Sequence, residues 1–453
     1  MSTLTAVAAP ERAGMTGRHK LILTLLLGAQ FMLAIDFSIL NVALPVVGEG
    51  LGFGLGSLQW IATAFALPAA GFTLLFGRVA DLFGRRRMLL IGMALLALGS
   101  LLGGLATSPA LLLTGRVMQG LATALATPAA LSLLTTSFPE GPARTRALGL
   151  SGALMSAGFT VGAVLGGVLT DLLSWRWAFL VNVPVALVIL VVTPMVVAES
   201  RAAGRPRLDV PGAITVTGGL LALVYGITAS AWWALALAAV LLVAFVLVER
   251  RAAAPLAPLG ILTKRTVAWG NVGGFIAFAT ETSLVFLMTL YLQEILGYSP
   301  LATGLALGVL GAGTVTGGIA APRIMARLGG RLTLAAGLVL QAVATAALLG
   351  LGETRDALPL LLIATAIGGF GNLVAIVAFM GTATSGLPDG EQGLATGLAT
   401  MTQQVAITLG IPVMSAIAAT RPGVLDGVHL ATLANAGIAL AGAALIAVML
   451  RRR

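Results

Sequence analysis

Gly77-Arg78-Val79-Ala80-Asp81-Leu82-Phe83-Gly84-Arg85-Arg86-Arg87 packs four arginines and one aspartate between two long apolar stretches, residues 57–76 and 88–106. A connection so short, so basic and punctuated by glycine predicts a tight cytoplasmic turn between two membrane-spanning helices. Arginines alone would do no more than fix the orientation of such a turn. Asp81 and the two glycines at set offsets point to a further role.

Outward from this turn, apolar runs repeatedly reach the roughly 20 residues that cross a bilayer. Candidate spans cover 21–47, 57–76, 88–106, 110–136, 147–171, 176–197, 210–230, 232–248, 268–292, 302–322, 332–352, 357–385, 393–419 and 429–450. The expected fold is therefore an all-α integral membrane protein with 14 transmembrane helices. The composition agrees: 58% of residues are apolar, 9% are charged, and 58 glycines and 19 prolines suit close helix packing and bends in lipid.

The net charge of +10 raises the possibility of nucleic acid, but its placement excludes that. Of the 26 Lys and Arg, all but Arg116, Arg176, Arg355 and Arg421 fall at the termini or in every second loop. This asymmetry through fourteen crossings puts both termini in the cytoplasm. No cysteine is present, so there is no disulfide or thiolate metal site, and His19 and His429 lie near opposite membrane faces, too far apart for a zinc site. No metal or cofactor is expected. Residues 1–20 read as a polar cytoplasmic tail, and the apolar run after them is too long for a cleaved signal peptide. Arg-rich, Lys-poor usage with abundant Ala and Gly suggests a GC-rich bacterial genome, hence a bacterial cell membrane.

The basic turn has an echo. Pro322-Arg323-Ile324-Met325-Ala326-Arg327-Leu328-Gly329-Gly330-Arg331 repeats it after the tenth span, with Ala326 where Asp81 stands. That offset divides the chain into six-helix bundles at 21–197 and 251–453, with an inserted helix pair at 198–250. Paired bundles about an axis along the membrane normal are a transporter arrangement.

The spacing G-x-x-x-D-x-x-G-R-R at Gly77, Asp81, Gly84, Arg85 and Arg86 resembles the loop between the second and third helices of major facilitator superfamily transporters, where it acts as a conformational switch. Fourteen spans resemble the drug:proton antiporter branch. Further matches to that branch run through the chain: 35–45 in the first helix, 59–65 in the second, Leu112, Arg116, Gln119 and Gly120 in the fourth, 174–184 before the sixth, 291–300, and 393–397 with Gln404. The antiporter motif of the fifth helix reads Gly158, Gly162, Gly166 and Gly167, with Ala163 where the family usually has proline. The loop at about 420–428 is shorter than that branch often shows. The resemblance implies proton-coupled efflux of small amphipathic organic compounds by alternating access. A nutrient or metabolite is the alternative substrate.

Three ionisable groups lie at membrane depth: Asp36, Arg116 and Glu281. Each costs about 2.5–3.5 kcal/mol to insert, so each requires a partner or a task. Asp36 is ~15 Å and Arg116 ~9 Å from the outer face at 1.5 Å per residue, within reach of each other if their helices are neighbours. The resemblance makes them neighbours lining the cavity of the first bundle. Asp36 then serves as proton carrier, or the pair is a permanent structural one. Glu281, in the helix corresponding to the first, has no cation within its span. It is either protonated and bonded locally, for instance to Thr280 or Thr282, or a site for a cationic substrate or proton.

Gly158, Gly162 and Gly166 share one helix face and admit a close backbone, which suits ordinary packing or a sliding contact between bundles. Phe37, Asn41, Trp60, Gln119, Met288, Asn372, Phe379 and Gln404 are candidates for a cavity that is mostly apolar with a few polar fixers. No phosphate-cradling G-x-x-x-x-G-K-[ST] loop is present, so ATP is not an expected partner. A lipid or prenyl transferase would need paired carboxylates near an interface to hold Mg²⁺, and only Asp389 and Glu391 form such a pair. Protons, a small-molecule substrate and the bilayer are the expected partners, and an enzyme is not expected.

Overall fold

The computed structural model describes residues 16–54, 57–138, 142–201, 209–252, 255–256, 259–385, 387 and 389–450; side chains in 142–156 and 389–396 are described only in part. Among the described residues every regular element is helical. The first half comprises α1 (Gly17–Leu51), α2 (Gln59–Phe83), α3 (Arg85–Gly104), α4 (Pro109–Ser137), α5 (Pro142–Leu172), a single turn α6 (Trp177–Leu180) and α7 (Asn182–Val196). Then come α8 (Val210–Thr228) and α9 (Trp232–Glu249). The remainder is α10 (Arg265–Leu290), α11 (Pro300–Ala347), α12 (Leu358–Ala383), α13 (Asp389–Ala418) and α14 (Val424–Met449).

Local chemistry sets the ends. Ser108 and Ser299 accept hydrogen bonds from the backbone N–H three residues on, with proline at the first position of the helices they cap, α4 and α11. Asp209 caps α8 through the Gly212 N–H at 3.0 Å. Gly52 closes α1 at φ 75°, a left-handed conformation that glycine adopts without strain.

Twelve helices among the described residues are long and apolar enough to cross a membrane. Two elements separate this count from the expected fourteen. A straight α11 would be about 72 Å long, over twice the hydrocarbon thickness. Its backbone breaks at Gly329 (φ 75°, ψ 161°), inside the echo of the basic turn. The helix α5 spans 31 residues, but side chains in 142–156 are described only in part, so its fully described apolar stretch, Ala157–Leu172, stands outside the twelve.

Within the first half α1 packs on α4 and α5, α2 on α4, and α3 on α4 and α7. In the second half α10 packs on α12, α13 and α14, and α11 on α12 and α14. Lipid supplies no hydrophobic drive between helices, so small residues let backbones close up. A Cβ on Gly99 of α3 would lie 2.8 Å from the Gly115 carbonyl oxygen of α4, and one on Gly115 2.7 Å from that of Gly99.

The α8–α9 pair leans on the first half along α2. Thr217 donates to the Gly71 carbonyl (2.7 Å), Gln59 to that of Thr228 (3.2 Å), and Trp60 packs on Tyr225. Its outer face is apolar and open, with Trp232 82% and Trp233 66% exposed, as a lipid-facing helix should be.

The halves meet through α5 with α11 and α2 with α13. At the end away from the basic turns they are sealed. One apolar cluster joins Leu44, Val47 and Ile61 of the first half to Leu287, Tyr291 and Leu292 of the second, and Gln293 donates to the Val42 carbonyl at 2.7 Å. At the basic end the cluster of Leu26, Leu89, Met93 and Leu133 belongs to the first half alone. The halves part there.

Candidate functional site

Asp36 lies on α1 at 0% exposure, facing α3, α4 and α7. Its Oδ1 accepts from Gln119 Nε2 at 2.7 Å and from Asn182 Nδ2 at 2.5 Å, and both amides also donate to Ser100 Oγ. Arg116 reaches it from α4, with Nη1 3.9 Å from Asp36 Oδ2. The guanidinium is held by the Ile61 carbonyl (3.1 Å) and Gln119 Oε1 (2.9 Å), and it lies 4.4 Å from the Phe65 ring centre. Low dielectric strengthens these bonds, so the pair is fixed from several sides. Asp36 Oδ2 is buried with no hydrogen-bond partner, as is Asn182 Oδ1, and of the two only the carboxylate oxygen can take up a proton.

This corrects one expectation. Asp36 and Arg116 are neighbours, but neither lines the main cavity between the halves or the small pocket beside it. They sit inside the first half behind Phe37 and Phe65, whose ring centres are 5.7 Å apart. A carboxylate in lipid needs polar partners, and here they come from α3, α4 and α7. Gln119 is thereby withdrawn from the cavity into the network.

The second half builds the same feature without charge. Thr280 Oγ1 accepts from Gln341 Nε2 (2.9 Å), the Thr280 carbonyl accepts from Asn435 Nδ2 (2.9 Å), and Asn372 Nδ2 bonds the Ala277 carbonyl (2.9 Å). The register follows from the neighbouring helices. Gly162 of α5 abuts the Ile35 carbonyl and Ser38, as Gly410 of α13 abuts the Ala279 carbonyl and Thr282. Asp36 therefore corresponds to Thr280, and Glu281 corresponds to Phe37. The near-equivalence of Glu281 and Asp36 read from the sequence is off by one residue, which turns Glu281 out of the helix interior.

Between the halves lies a cavity of about 450 Å³ that extends towards the basic end as far as Leu131 and Thr384. Phe37, Ser38 and Asn41 line it from α1, and Glu281, Thr282 and Val285 from α10, two triplets in the same register. Of the other cavity candidates, Gln404 lines a small side pocket that shares Gln30, Phe37 and Phe159 with the main one. Trp60 packs in the seam with α8, Met288 and Phe379 are fully buried in apolar clusters, and Asn372 belongs to the neutral network. Those four do not line it, because their helix faces turn towards neighbouring helices.

The basic turn is clamped to α7. Gly84 has φ 117°, and a Cβ there would lie 2.7 Å from the Glu199 carboxylate carbon, so glycine is required twice over. Glu199 accepts from the Arg86 N–H (3.0 Å) and the Arg87 N–H (3.2 Å), capping the N-terminus of α3, where negative charge is favoured. Arg86 donates to the Val197 carbonyl at 3.0 Å. Asp81 pairs with Arg85 at 2.8 Å inside the turn itself. A Cβ on Gly77 would stand 3.5 Å from Pro128, an ordinary α2–α4 contact.

The glycine face of α5 is also reassigned. Gly158, Gly162 and Gly166 pack on Ala34, Ile35 and Ile39 of α1, inside one half. The contact between halves uses the other face of α5, where Thr160, Ala163 and Gly167 meet Pro300, Gly304 and Gly311 of α11. Four residues per repeat is slightly over one turn, so the motif holds one helix while its neighbours meet another.

Residues 26–411 and 270–453 match the Major Facilitator Superfamily. The chain belongs to that superfamily. This major facilitator protein is 38% identical to the "Cephamycin export protein CmcT" of Amycolatopsis lactamdurans, over 91% of its own length and 88% of that protein. It is 38% identical to the "Puromycin resistance protein pur8" of Streptomyces alboniger, over 87% and 81% respectively. In fold it resembles the crystal structure of an auto-inhibited POT family peptide transporter, with TM-score 0.69 at 14% identity over 95% of this chain and 97% of that one.

Sequence reading did not single out Ser100, Gln341 or Asn435, and it quoted Asn182 only within a motif. A hydroxyl or amide in a membrane helix was their one available signal. The side chains of Asp389 and Glu391, the pair weighed for Mg²⁺, lie outside the described residues.

Proposed function

We infer that this major facilitator protein is a proton-driven exporter of small amphipathic organic molecules, antibiotics among them. The export and resistance names of its relatives support the cargo class. The observation that carries the mechanism is the Asp36–Arg116 pair, sealed inside one half beside a drug-sized cavity. A proton on Asp36 Oδ2 cancels the attraction to Arg116, which keeps its bonds to Ile61 and Gln119 while α1 is freed to shift against α4. Protonation thus biases α1, whose next residue, Phe37, is part of the cavity wall. Two states that differ in this charge are what coupled alternating access requires.

Counting α5 as one crossing and α11 as two, divided at Gly329, gives fourteen, with α8–α9 inserted between six-helix halves. The basic end is then cytoplasmic by the positive-inside rule, both termini lie on that side, and the cavity opens to the cytoplasm. In this state Asp81 is held by Arg85. Gly77, Asp81, Gly84, Arg85 and Arg86 form the switch, with Asp81 latching the cytoplasmic ends of helices when the cavity opens outwards. Glu281 is the second candidate for the proton.

The test is Asp36→Asn in proteoliposomes carrying a pH gradient. Wild type should concentrate substrate against its gradient. The variant should still bind substrate but show no gradient-driven accumulation. Accumulation at wild-type level would remove Asp36 from coupling and assign the proton to Glu281.

A further inference from the structure

Glu281 is the one ionisable side chain lining the cavity among the described residues. Elsewhere the wall is hydroxyl, amide, thioether and hydrocarbon, contributed by α1, α4, α5, α10, α11, α12 and α13. The local bonds that would have occupied this carboxylate are absent. Thr280 Oγ1 donates to the Ile276 carbonyl (2.7 Å) and Thr282 Oγ1 to the Phe278 carbonyl (3.0 Å). Among the described residues Glu281 makes no hydrogen bond and no ion pair, and no arginine or lysine shares its chamber.

Three rings, Phe37, Phe159 and Phe278, line the same chamber. Aromatic faces attract cations and repel anions. A lone carboxylate backed by low-dielectric protein walls does the same, with greater force than it would have in bulk water. Asn41 and Gln403 also line the space and make no hydrogen bond among the described residues, so they offer polar contacts without charge.

We propose that this cavity selects amphipathic monocations, and that Glu281 is the residue that sets this preference by direct contact with the bound molecule. One negative charge matches one positive charge. A dication would bring an unpaired charge into the chamber, and an anion would meet both the carboxylate and the ring faces. The wall is otherwise mostly apolar and demands a hydrophobic body around the charge. The proposal rests on the export reading only in taking this cavity as the substrate's, and it is tested by binding alone, without transport.

The probes are tetraphenylphosphonium and tetraphenylborate, which share size and shape and differ in the sign of charge. Equilibrium binding to purified protein in neutral detergent should favour the cation at least tenfold in wild type. Glu281→Gln should weaken tetraphenylphosphonium at least tenfold and leave tetraphenylborate equal or tighter, while Glu281→Asp keeps the wild-type order. Equal affinity of wild type for both ions would overturn the proposal without any variant. So would a parallel loss of both ions in Glu281→Gln, which marks a structural role. Export reading and charge selection fail separately: abolished pumping with this binding pattern intact refutes only the former.

Discussion

In the first half, Asp36 and Arg116 meet at 3.9 Å among Ser100, Gln119 and Asn182; the matching interior of the second half holds Thr280, Gln341, Asn372 and Asn435, hydrogen-bonded and uncharged. The helices cross in the same register, so packing alone does not require the charges. A neutral network would have filled the first half equally well and at lower desolvation cost. What the charged version adds is a group that can change its protonation. The second half keeps its carboxylate too, displaced by one residue from the interior to the cavity wall.

The largest effect should come from breaking the charged network on one side only. Arg116→Ala leaves Asp36 buried without a cation, and loss of one partner of a buried pair costs about 3–5 kcal/mol. Thermal unfolding of the purified variant should show the loss, together with absent transport. A melting point equal to wild type would mean that Asp36 is neutral in this state and that the pair is not what holds α1 to α4.

A sharper contrast follows from the two asparagines that occupy equivalent places. Asn182→Ala and Asn435→Ala each remove two donated bonds and should each cost about 1–3 kcal/mol. Only Asn182 touches the carboxylate. Its loss should also displace the pH dependence of transport, measured as initial rate against pH, whereas Asn435→Ala should leave the curve's midpoint where wild type has it. Displacement by both, or by neither, would erase the functional distinction between the halves.

The smallest effect concerns the turns. Glu199 caps the first half's basic turn with both carboxylate oxygens and lies 3.9 Å from Arg87, so Glu199→Gln should lose one accepted N–H bond together with the charge, about 1 kcal/mol at a partly exposed site. Unfolding in the presence of salt checks this, because screening should shrink the difference between variant and wild type.

Much of this was legible from the chain because membrane helices announce themselves by length and charge placement. The turn at Gly84 and its echo at Gly329 both appear where glycine and arginine cluster, and each has the positive φ that such a turn needs. Helix faces were harder. Phe37 and Asn41 line the cavity, whereas Gln119 and Asn372, equally polar and equally deep, point into their own halves. In a span surrounded by helices, composition does not say whether a polar residue greets a neighbouring helix or a void. Only its distant partners decide that, as Ser100 and Asn182 do for Asp36.

The contact between α5 and α11 has a thermodynamic consequence. Much of it is backbone, glycine and alanine: Ala163 and Gly167 on one side, Gly304 and Gly311 on the other, with a Cβ on Gly304 only 2.7 Å from the Ala163 carbonyl oxygen. Glycine and alanine have no rotamers to freeze. Such a surface can part and rejoin on each cycle with little side-chain disorder gained or surrendered. Its free energy then depends on contact alone, and long flexible side chains at the same places would tax every closure in entropy as well as in space.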